Sequence, residues 1–492
     1  MLVTLVACYF AVTICIGFYA ARRVKNSADY LVAGRSLPLY MNTATVFATW
    51  FGAELILAVS STFLKEGLQG VVGDPFGAAF CLIFVALFLA APYYRLKLMT
   101  VGDFYKKRYN RTVELASAAA ISISYLGWSS ANLVALGIVI HTVSGNAITL
   151  EQGIVLGAVI VGIYTLFGGM WSVAFTDLFQ TVIIVAGLIY IAWMLAGMAG
   201  GVDKVVATAQ ASDRLKFFPG ASLHDWLGFI AAFVTMALGS VAQQDVFQRV
   251  TSARTEKIAR QGTLLGGSLY LLMAFIPMFI AVSALLIDPA MVKQMLSNEN
   301  DFQQVLPTLI LQRTPLFAQV LFFGALLSAI LSTASGTLLA PTAVITENVI
   351  QPLWGHKLSD RKMLVLLRLI LIGFTCCVTL FALQSESSMY QMVQDAYKVT
   401  LVAAFTPLIF GMFWRRATPQ GALLSMACGV VAWLYAEHFM SDALVPPQLV
   451  GLGSAIVGMI VGSLAPTLMG GQGHPEIVDQ ARQPEVADNP PA

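Results

Sequence analysis

The stretch FGALLSAILSTASGTLLA, from Phe323 to Ala340, carries no charged residue and approaches the length that an α-helix needs to cross a bilayer. Ser332 and Thr333 lie side by side within it. Because hydrocarbon contains no water, their hydroxyl oxygens must bond to their own helix, bond to a neighbouring helix, or coordinate a bare hard cation such as Na⁺. The third possibility predicts a transporter.

The composition of the whole chain indicates that its solvent is lipid. Of the 492 residues, 58% are hydrophobic and 11% are charged, whereas soluble domains carry about 25% charged residues. Apolar stretches of roughly 20 residues recur along the sequence. They predict an all-α polytopic membrane protein with about thirteen transmembrane helices, among them Leu39 to Phe63, Gly153 to Phe167, Phe175 to Met198, Leu223 to Val246 and Leu316 to Val344.

The basic residues predict the orientation in the membrane. Cytoplasmic loops retain Lys and Arg, and placing the N-terminus outside assigns 20 of the 28 basic residues to cytoplasmic segments. We therefore expect a multi-pass protein of the inner (plasma) membrane with a cytoplasmic C-terminus. No Gly-rich phosphate loop occurs between a strand and a helix, so an ion gradient is the expected energy source. We expect neither an enzyme nor a nucleic-acid partner, and an oligomer is not required.

Two of the predicted spans contain glycine interruptions at corresponding places. Gly52 and Ala53 precede Glu54 in the second span, and Gly239 and Ser240 precede Gln243, Gln244 and Asp245 in the seventh. With the first span set aside, each interrupted helix opens a block of five. Such pairs point to a binding site of unwound backbone near the membrane midplane. The alternative is that these glycines serve only close helix packing.

Several motifs resemble the sodium:solute symporter family, most clearly GIYTLFGGMWSVAFTDLFQT at Gly162 to Thr181. Further matches are YLVAGRSLP at Tyr30 to Pro38, LMTVGDFYKKRY at Leu98 to Tyr109 and GMFWRRATPQG at Gly411 to Gly421. The resemblance implies a LeuT-type fold of two inverted five-helix repeats. Its expected division is an extra helix at residues 1–21, repeats at 38–198 and 222–414, two further helices within 418–468, and a disordered cytoplasmic tail at 470–492.

The resemblance also implies a Na⁺ site and its ligands. The carbonyl donors would be Ala48, Phe51 and Ala329, and the hydroxyl donors would be Ser332 and Thr333. Ala48 and Phe51 lie three residues apart, as do Ala329 and Ser332, so each pair can present oxygens to one point on a helix face. The alternative is that both hydroxyls bond to carbonyls one turn earlier.

Two acidic residues have possible roles near this site. The resemblance implies that Asp177, expected at the cytoplasmic end of the sixth span, receives Na⁺ as it exits, although a packing or helix-end role is also possible. Glu54 lies in mid-span, where a carboxylate is costly unless it is paired or faces a cavity. It is therefore a candidate substrate contact, or else a protonated group bonded to neighbouring hydroxyls.

The substrate pocket is expected between the broken helices and the third and tenth core helices. Its candidate residues are Trp50, Glu54, Leu55, Asp74, Gly77, Trp128, Asn132, Met236, Gly239, Ser240, Gln244 and Tyr397. Sugar-carrying relatives have an aromatic gate where this chain has Gly239 and Ser240, and proline carriers have aromatics and a Pro in the helix that holds Met236, Ser240 and Gln244. The sequence therefore leaves the identity of the substrate open.

A last candidate is the pair Asp395 and Lys398, three residues apart near the outer end of the tenth core helix. The plain interpretation is a salt bridge within the helix. The alternative is that Lys398 attracts a substrate carboxylate.

Together these features predict a Na⁺-coupled symporter that imports a small organic solute, such as proline or a small carboxylate, by alternating access. The alternatives are a sugar or polyol symporter and a solute sensor without transport.

Overall fold

The computed structural model describes residues 2–297, 302–354, 358–385, 387–440, 443–466 and 473–483. These residues are almost entirely helical, and the pairing between strands within them is limited to one bridge that joins Leu37 and Ala253. The first half of the chain contains the helices α1 (Leu2–Ala21), α2 (Ser27–Val32), α3 (Leu39–Trp50), α4 (Ser60–Gly70), α5 (Ala78–Phe84), α6 (Ala90–Leu96), α7 (Val101–Arg108), α8 (Arg111–Val143) and α9 (Leu150–Ala199).

The second half continues the same architecture. Its helices are α10 (Val202–Ala211), α11 (Leu223–Gly239), α12 (Gln244–Thr251), α13 (Glu256–Ile287), α14 (Pro289–Leu296), α15 (Val305–Arg313), α16 (Leu316–Val344), α17 (Asp360–Gln384), α18 (Met389–Thr400), α19 (Thr406–Phe413), α20 (Pro419–Phe439), α21 (Pro447–Leu464) and α22 (Glu476–Arg482). Short π-helical turns continue several spans, at Glu54–Val59, Val72–Gly77, Val85–Leu89, Ile345–Ile350 and Leu401–Phe405. Turns of 3₁₀ helix lie at Ala33–Arg35, Ser240–Ala242, Phe302–Gln304 and Gln351–Trp354.

The membrane-crossing helices agree with the predicted spans. Eleven helices among the described residues are long and apolar enough to cross a bilayer, and the bent pair of Leu39–Trp50 and Glu54–Gly70 raises the count to twelve. The thirteenth predicted span lies within α9. At 50 residues α9 would be about 75 Å long if straight, more than twice the hydrocarbon thickness of about 30 Å.

Gly169 divides α9 into two spans. Its backbone adopts φ 49° and ψ −139°, far from helical values, between the predicted spans Gly153 to Phe167 and Phe175 to Met198. A side chain at this position would also approach the carbonyl oxygen of Tyr30 to 2.4 Å. Glycine is therefore required here both for the left-handed backbone and for the close contact.

The helices differ in how far they are enclosed by protein. Buried positions make up 78% of the most apolar window of α8 and 67% of that of α16, against 17% for the N-terminal helix α1 and 22% for α17. The helices α8 and α16 therefore form the centre of the bundle, while α1 and α17 face lipid. This difference explains why α16 can carry hydroxyl side chains that never meet the hydrocarbon.

The predicted disorder of the tail is wrong for residues 473–483. There α22 buries Ile477, Val478 and Ala481 against the protein. The guanidinium of Arg95 donates hydrogen bonds to the carbonyls of Ala481 (3.1 Å) and Arg482 (3.0 Å). The polar composition of the tail gave no sign of this packing. A few apolar residues on one face of a short helix are enough to hold it against a protein surface that is already formed. The remainder of the predicted tail, 470–472 and 484–492, lies outside the described residues.

Candidate functional site

The first helix break lies where α3 ends. Phe51 leaves the helix with φ −80° and ψ 72°, and the chain resumes helical form at Glu54 after a bend of 53°. The N–H of Gly52, which a continuous helix would pair with the Ala48 carbonyl, donates instead to the carbonyl of Trp50 (2.9 Å). The break therefore removes the usual helical partner of the Ala48 carbonyl and turns the Phe51 carbonyl off the helix axis.

Thr333 of α16 faces this break. A Cβ atom on Gly52 would lie 2.8 Å from the Thr333 hydroxyl, so the unwound backbone touches Thr333 directly. The Thr333 hydroxyl donates to the carbonyl of Ala329 (3.1 Å), one turn earlier on the same helix. The structure thus places Thr333, which is bonded to the Ala329 carbonyl, against the unwound segment that follows Phe51, and this contact forms the junction of the first break with α16.

Asp177 also belongs to this junction. Its carboxylate accepts a hydrogen bond from Ser332 (2.5 Å), and its other oxygen has no hydrogen-bond partner. Asp177 is fully buried by the protein around it. The second arm of α9 begins at Gly169, so Asp177 lies about two helical turns inside the bundle.

An arginine connects the junction with the second break. The Arg249 guanidinium donates to the Thr49 hydroxyl (3.0 Å), beside Ala48, and lies near the backbone of Gly336. It is 2% exposed, and within the described chain no ion pair links it to a carboxylate. Arg249 therefore contributes a buried positive charge between the two carboxylates Asp177 and Asp245.

The second break separates α11 from α12. The backbone passes through the 3₁₀ turn Ser240–Ala242 to Gln243, which is extended at φ −76° and ψ 142°. The Gln243 amide donates to the hydroxyls of Ser124 (3.0 Å) and Thr400 (3.3 Å), on α8 and α18. A polar side chain thus ties the unwound segment to two neighbouring helices.

Three of the predicted substrate residues form one aromatic cluster. The rings of Trp50 and Trp128 lie 5.9 Å apart edge to face, those of Trp128 and Tyr397 lie 5.5 Å apart, and those of Trp50 and Tyr397 stack at 6.3 Å. The three helices α3, α8 and α18 each contribute one ring. The sequence spacing alone gave no sign of this contact, because the residues lie far apart along the chain.

The two predicted carboxylates of the first repeat lie close to this cluster. Asp74 accepts a hydrogen bond from the Tyr270 hydroxyl, and the Tyr270 ring packs edge to face on Phe51 at 6.2 Å. Glu54 is half-buried, and one of its carboxylate oxygens has no hydrogen-bond partner. The expected bonds from Glu54 to neighbouring hydroxyls are not made by that oxygen, which leaves it available to a ligand.

The other predicted pocket residues serve mainly to pack the helices. A Cβ on Gly239 would lie 2.5 Å from the Tyr397 carbonyl, and one on Gly77 would lie 2.8 Å from the Phe233 carbonyl. Ser240 donates to the Met236 carbonyl (2.6 Å), and Asn132 donates to the Trp128 carbonyl (2.9 Å). Leu55 and Met236 are buried, at 1% and 2% exposure.

Gln244 lies away from the aromatic cluster. Its side-chain oxygen accepts from the N–H of Val101 (2.8 Å), and its amide donates to the carbonyl of Met99 (3.4 Å). Gln244 therefore accepts from a backbone N–H at the start of α7, which has no partner within that helix. The helix α7 is the short one that joins α6 to α8. The break turns the chain at Gln243, which directs the two successive glutamines to different neighbours.

Sequence reasoning left two residues out of the pocket, Tyr125 and Asp245. The Tyr125 hydroxyl hydrogen-bonds to the Asp245 carboxylate and accepts from the Asp245 N–H (2.9 Å). The Tyr125 ring stacks against Trp128 at 6.0 Å, so the pair adjoins the aromatic cluster. A carboxylate inside a predicted span was a signal present in the sequence, since intramembrane charges usually mark functional sites.

Asp395 and Lys398 form the salt bridge within the helix that their spacing predicted. Lys398 forms a salt bridge to Asp395 (3.0 Å) within α18 and lies 3.7 Å from Glu437 of α20. Among the described residues, no group of three or more His, Cys, Asp or Glu side chains could hold a metal ion. The predicted ion ligands are instead carbonyls and hydroxyls, which suit a monovalent hard cation.

Comparison with known proteins defines the class of this chain. Residues 30–429 match the model of the Sodium:solute symporter family. The High-affinity proline transporter PutP of Bacillus subtilis is 26% identical over 444 residues, which cover 87% of this chain and 91% of PutP. The High-affinity choline transporter 1 of Torpedo marmorata is 25% identical over 435 residues, which cover 86% and 74% of the two chains.

Solved structures show the same fold. The substrate-bound, outward-open state of a Na⁺-coupled sialic acid symporter superposes with a TM-score of 0.80 at 19% identity, covering 94% of this chain and 98% of the symporter. The nucleobase-cation-symport-1 family transporter Mhp1 in a closed conformation gives a TM-score of 0.60 at 13% identity, covering 88% and 93%.

The chain belongs to the sodium:solute symporter family. It is a Na⁺-coupled solute symporter that crosses the membrane many times, and Na⁺ is its coupling ion. The predicted all-α, LeuT-type fold of two inverted repeats is confirmed. The family consists of transporters.

Proposed function

We propose that this symporter binds one Na⁺ at the junction of the first break with α16 and imports a small amino-acid-like solute such as proline. The ligands would be the carbonyls of Ala48, Phe51 and Ala329 and the hydroxyls of Ser332 and Thr333. The observation that supports this site is the contact of Gly52 with Thr333, beside a carbonyl that has lost its helical partner.

The donor set suits an ion that must both bind and leave. Five neutral oxygens replace the hydration shell without a permanent countercharge in the first shell. Asp177 lies behind Ser332 with a free carboxylate oxygen, and the amide of Gln180, one turn further along α9, has no hydrogen-bond partner. We propose that Asp177 receives the ion on its way inward.

The coupling of Na⁺ to solute transport would follow from the position of the ion between the first break and α16. Na⁺ bound from outside would fix the first break against α16, and the aromatic cluster, which includes Trp50 of the same helix, would be completed for the solute. Rocking of the repeats, at about residues 38–198 and 222–414, would then open the inner side. One Na⁺ contributes about 2.3 kcal/mol per 100 mV of membrane potential.

The relatives support the choice of solute. Proline is a zwitterion, and several relatives that match most of this chain are named as proline transporters. The pocket would be formed by Trp50, Trp128 and Tyr397 with Glu54 and Asp74 at its outer side. The residues Leu55, Gly77, Asn132, Met236, Gly239 and Ser240 would shape its walls.

Uptake by proteoliposomes tests the proposed ion site. The purified full-length chain should accumulate labelled proline only under an inward Na⁺ gradient. The variant Ser332→Ala with Thr333→Ala should lose this Na⁺ dependence, while Thr342→Ala should keep it. Thr342 is a matched control because it is buried in the same helix and bonds only to the carbonyl of Leu338 (2.7 Å). Uptake that ignores Na⁺ in the unaltered protein would refute the proposal.

We also propose that the N-terminus lies outside and the C-terminus in the cytoplasm. In this orientation Lys204 and Arg313 lie outside, whereas Arg260 and Arg415 lie inside. Single cysteines are introduced at Lys204 and Arg260 in a cysteine-free background. An impermeant reagent added to intact cells should label the Lys204 site, and it should label the Arg260 site only after the cells are opened. Labelling of the Arg260 site from outside would reverse the orientation.

A further inference from the structure

The buried carboxylate of Asp245 has an oxygen with nothing to bind. Asp245 is fully buried at the start of α12, and the Tyr125 hydroxyl bonds to one of its oxygens. The other oxygen has no hydrogen-bond partner. Since nearly all buried polar atoms in proteins are hydrogen-bonded, an orphaned carboxylate oxygen next to the aromatic cluster calls for a missing partner.

No described cation occupies that role. Arg249, one turn further along α12, sends its guanidinium to the Thr49 hydroxyl (3.0 Å) and towards the Gln248 side chain (3.4 Å). It forms no ion pair with Asp245 within the described part of the chain. The negative charge of Asp245 is therefore only partly offset, by a guanidinium that is engaged elsewhere.

The surroundings of the free oxygen are aromatic. The Tyr125 ring stacks on Trp128 at 6.0 Å, the Trp50 side chain comes within hydrogen-bonding reach of the Asp245 carboxylate, and Tyr397 lies 5.5 Å from Trp128. Aromatic faces attract positive charge through their quadrupole, and a desolvated cation over such a ring gains about 2 kcal/mol. A carboxylate oxygen beside the rings of Tyr125 and Trp50 is thus suited to a positively charged nitrogen.

We propose that Asp245 is the residue that receives the protonated nitrogen of the solute, with the rings of Trp50, Trp128 and Tyr397 against its apolar part. The free oxygen accepts an N–H hydrogen bond, so the favoured solute is a protonated amine that keeps at least one N–H, such as a secondary amine. Anions without such a nitrogen are repelled by the same carboxylate. This assignment rests on the proposed function.

Chemical analogues test the assignment without any change to the protein. Binding to the full-length chain in saturating Na⁺ is measured for proline, for tetrahydrofuran-2-carboxylate, in which an ether oxygen replaces the N–H, and for N,N-dimethylproline, which keeps the charge but has no N–H. We expect both analogues to bind at least about tenfold more weakly than proline, which is the cost of one lost charge-assisted hydrogen bond. Equal binding of the ether would overturn the role of the charge, and equal binding of the dimethyl compound would overturn the N–H hydrogen bond.

A pair of variants links the effect to Asp245. Asp245→Asn keeps the shape but removes the charge, and we expect it to weaken proline binding at least about tenfold. Stabilisation of the variant by Na⁺ alone, measured as a shift in melting temperature, should remain, which also shows that it is folded. Asp225→Asn, at the exposed outer end of α11, is the matched control and should bind as the unaltered chain does.

The outcomes separate this inference from the symport proposal. If proline uptake depends on Na⁺ but Asp245→Asn binds proline as tightly as the unaltered chain, the assignment of Asp245 is wrong and the symporter stands. If the unaltered chain shows no Na⁺-driven proline uptake, the proposed function itself fails. A Na⁺-driven solute without a positively charged nitrogen would overturn the assignment as well.

Discussion

The two helix breaks of this protein occupy equivalent places in two inverted repeats, yet their chemistry differs. The first, at Phe51 and Gly52, presents backbone carbonyls to the hydroxyl of Thr333. The second, at Ser240 to Gln243, presents an amide that binds two helices and a carboxylate, Asp245, bonded to Tyr125. Neutral, closely packed oxygens suit a small ion, whereas side-chain charge beside aromatic rings suits an organic solute. The repeat thus supplies a break in the backbone twice, and the side chains around the two breaks differ in charge and polarity.

Each break is associated with one buried carboxylate. Asp177 reaches the first break through Ser332, and Asp245 begins the helix that follows the second. Arg249 contacts Thr49 beside the first break and extends from the helix of the second. We therefore expect substitutions at the first break to alter the Na⁺ dependence of uptake and substitutions at the second break to alter the affinity for the solute.

The largest effect is expected from Gly52→Val. The added side chain would begin 2.8 Å from the Thr333 hydroxyl and push the unwound segment away from α16. We expect Na⁺-driven uptake to fall by about a hundredfold, the upper end of an overpacking cost of roughly 1–3 kcal/mol. Uptake by proteoliposomes measures it, with Gly228→Ala as the control because no atom lies within 4 Å of its Cβ position. Full activity of the valine variant would show that the close approach is dispensable.

A second prediction concerns the charge behind the ion site. Asp177→Asn keeps an oxygen to accept from Ser332 but removes the negative charge beside the proposed ligands. We expect the Na⁺ concentration for half-maximal uptake to rise by about tenfold, which corresponds to roughly 1.4 kcal/mol. The solute concentration for half-maximal uptake at saturating Na⁺ should stay unchanged. A change in solute affinity alone would contradict the division between the two breaks.

A third prediction concerns Gly239, next to the second break. In Gly239→Ala the new methyl group would lie 2.5 Å from the Tyr397 carbonyl and force α11 away from α18. Because Tyr397 belongs to the aromatic cluster, we expect proline affinity to fall by roughly fivefold, equivalent to about 1 kcal/mol of strain. Stabilisation by Na⁺ without solute should be unaffected. Equal losses of both responses would mean that the two sites cannot be separated by packing.

The smallest effect is expected far from both breaks. At the C-terminal end of α13, Asp288 accepts from Arg313 (2.9 Å and 2.5 Å) and from the N–H of Met291 (3.1 Å). The Arg313 guanidinium, and after it the Met291 N–H, lower the pKa of this carboxyl. A carboxyl with a lowered folded-state pKa stabilises the protein above its unfolded pKa of about 4, and this stabilisation is lost as the pH falls through the folded value.

The melting temperature, measured as a function of pH, tests the stabilisation by Asp288. Asp288→Asn should melt slightly below the unaltered chain at pH 6, and the difference should shrink as the pH falls from 4 towards 3. Asp213→Asn is the control, because its salt bridge to Lys216 joins two side chains that are 69% and 63% exposed. Such pairs contribute little. A gap that stays constant with pH would assign the effect of Asp288 to packing instead.

The sequence predicted the features that depend on local chemistry. Apolar stretches of about 20 residues require membrane helices, and thirteen of them were found once α9 was divided at Gly169. Glycine at positions 52 and 239 marked both breaks, because a helix interrupted in the membrane needs a residue that allows close approach. The hydroxyls of Ser332 and Thr333 lie within an uncharged span, which is why we propose the ion site there.

Only the tertiary structure decided which side chains meet. Tyr125 bonds to Asp245 across 120 residues and Ser332 to Asp177 across 155, and no local pattern encodes such pairs. Gln244 bonds to α7 instead of the pocket, and part of the tail packs against the protein as α22, each because a distant surface offers a partner. Helix formation follows from hydrogen bonds and hydrophobicity within one segment, whereas the site arises from contacts between segments that the sequence keeps apart.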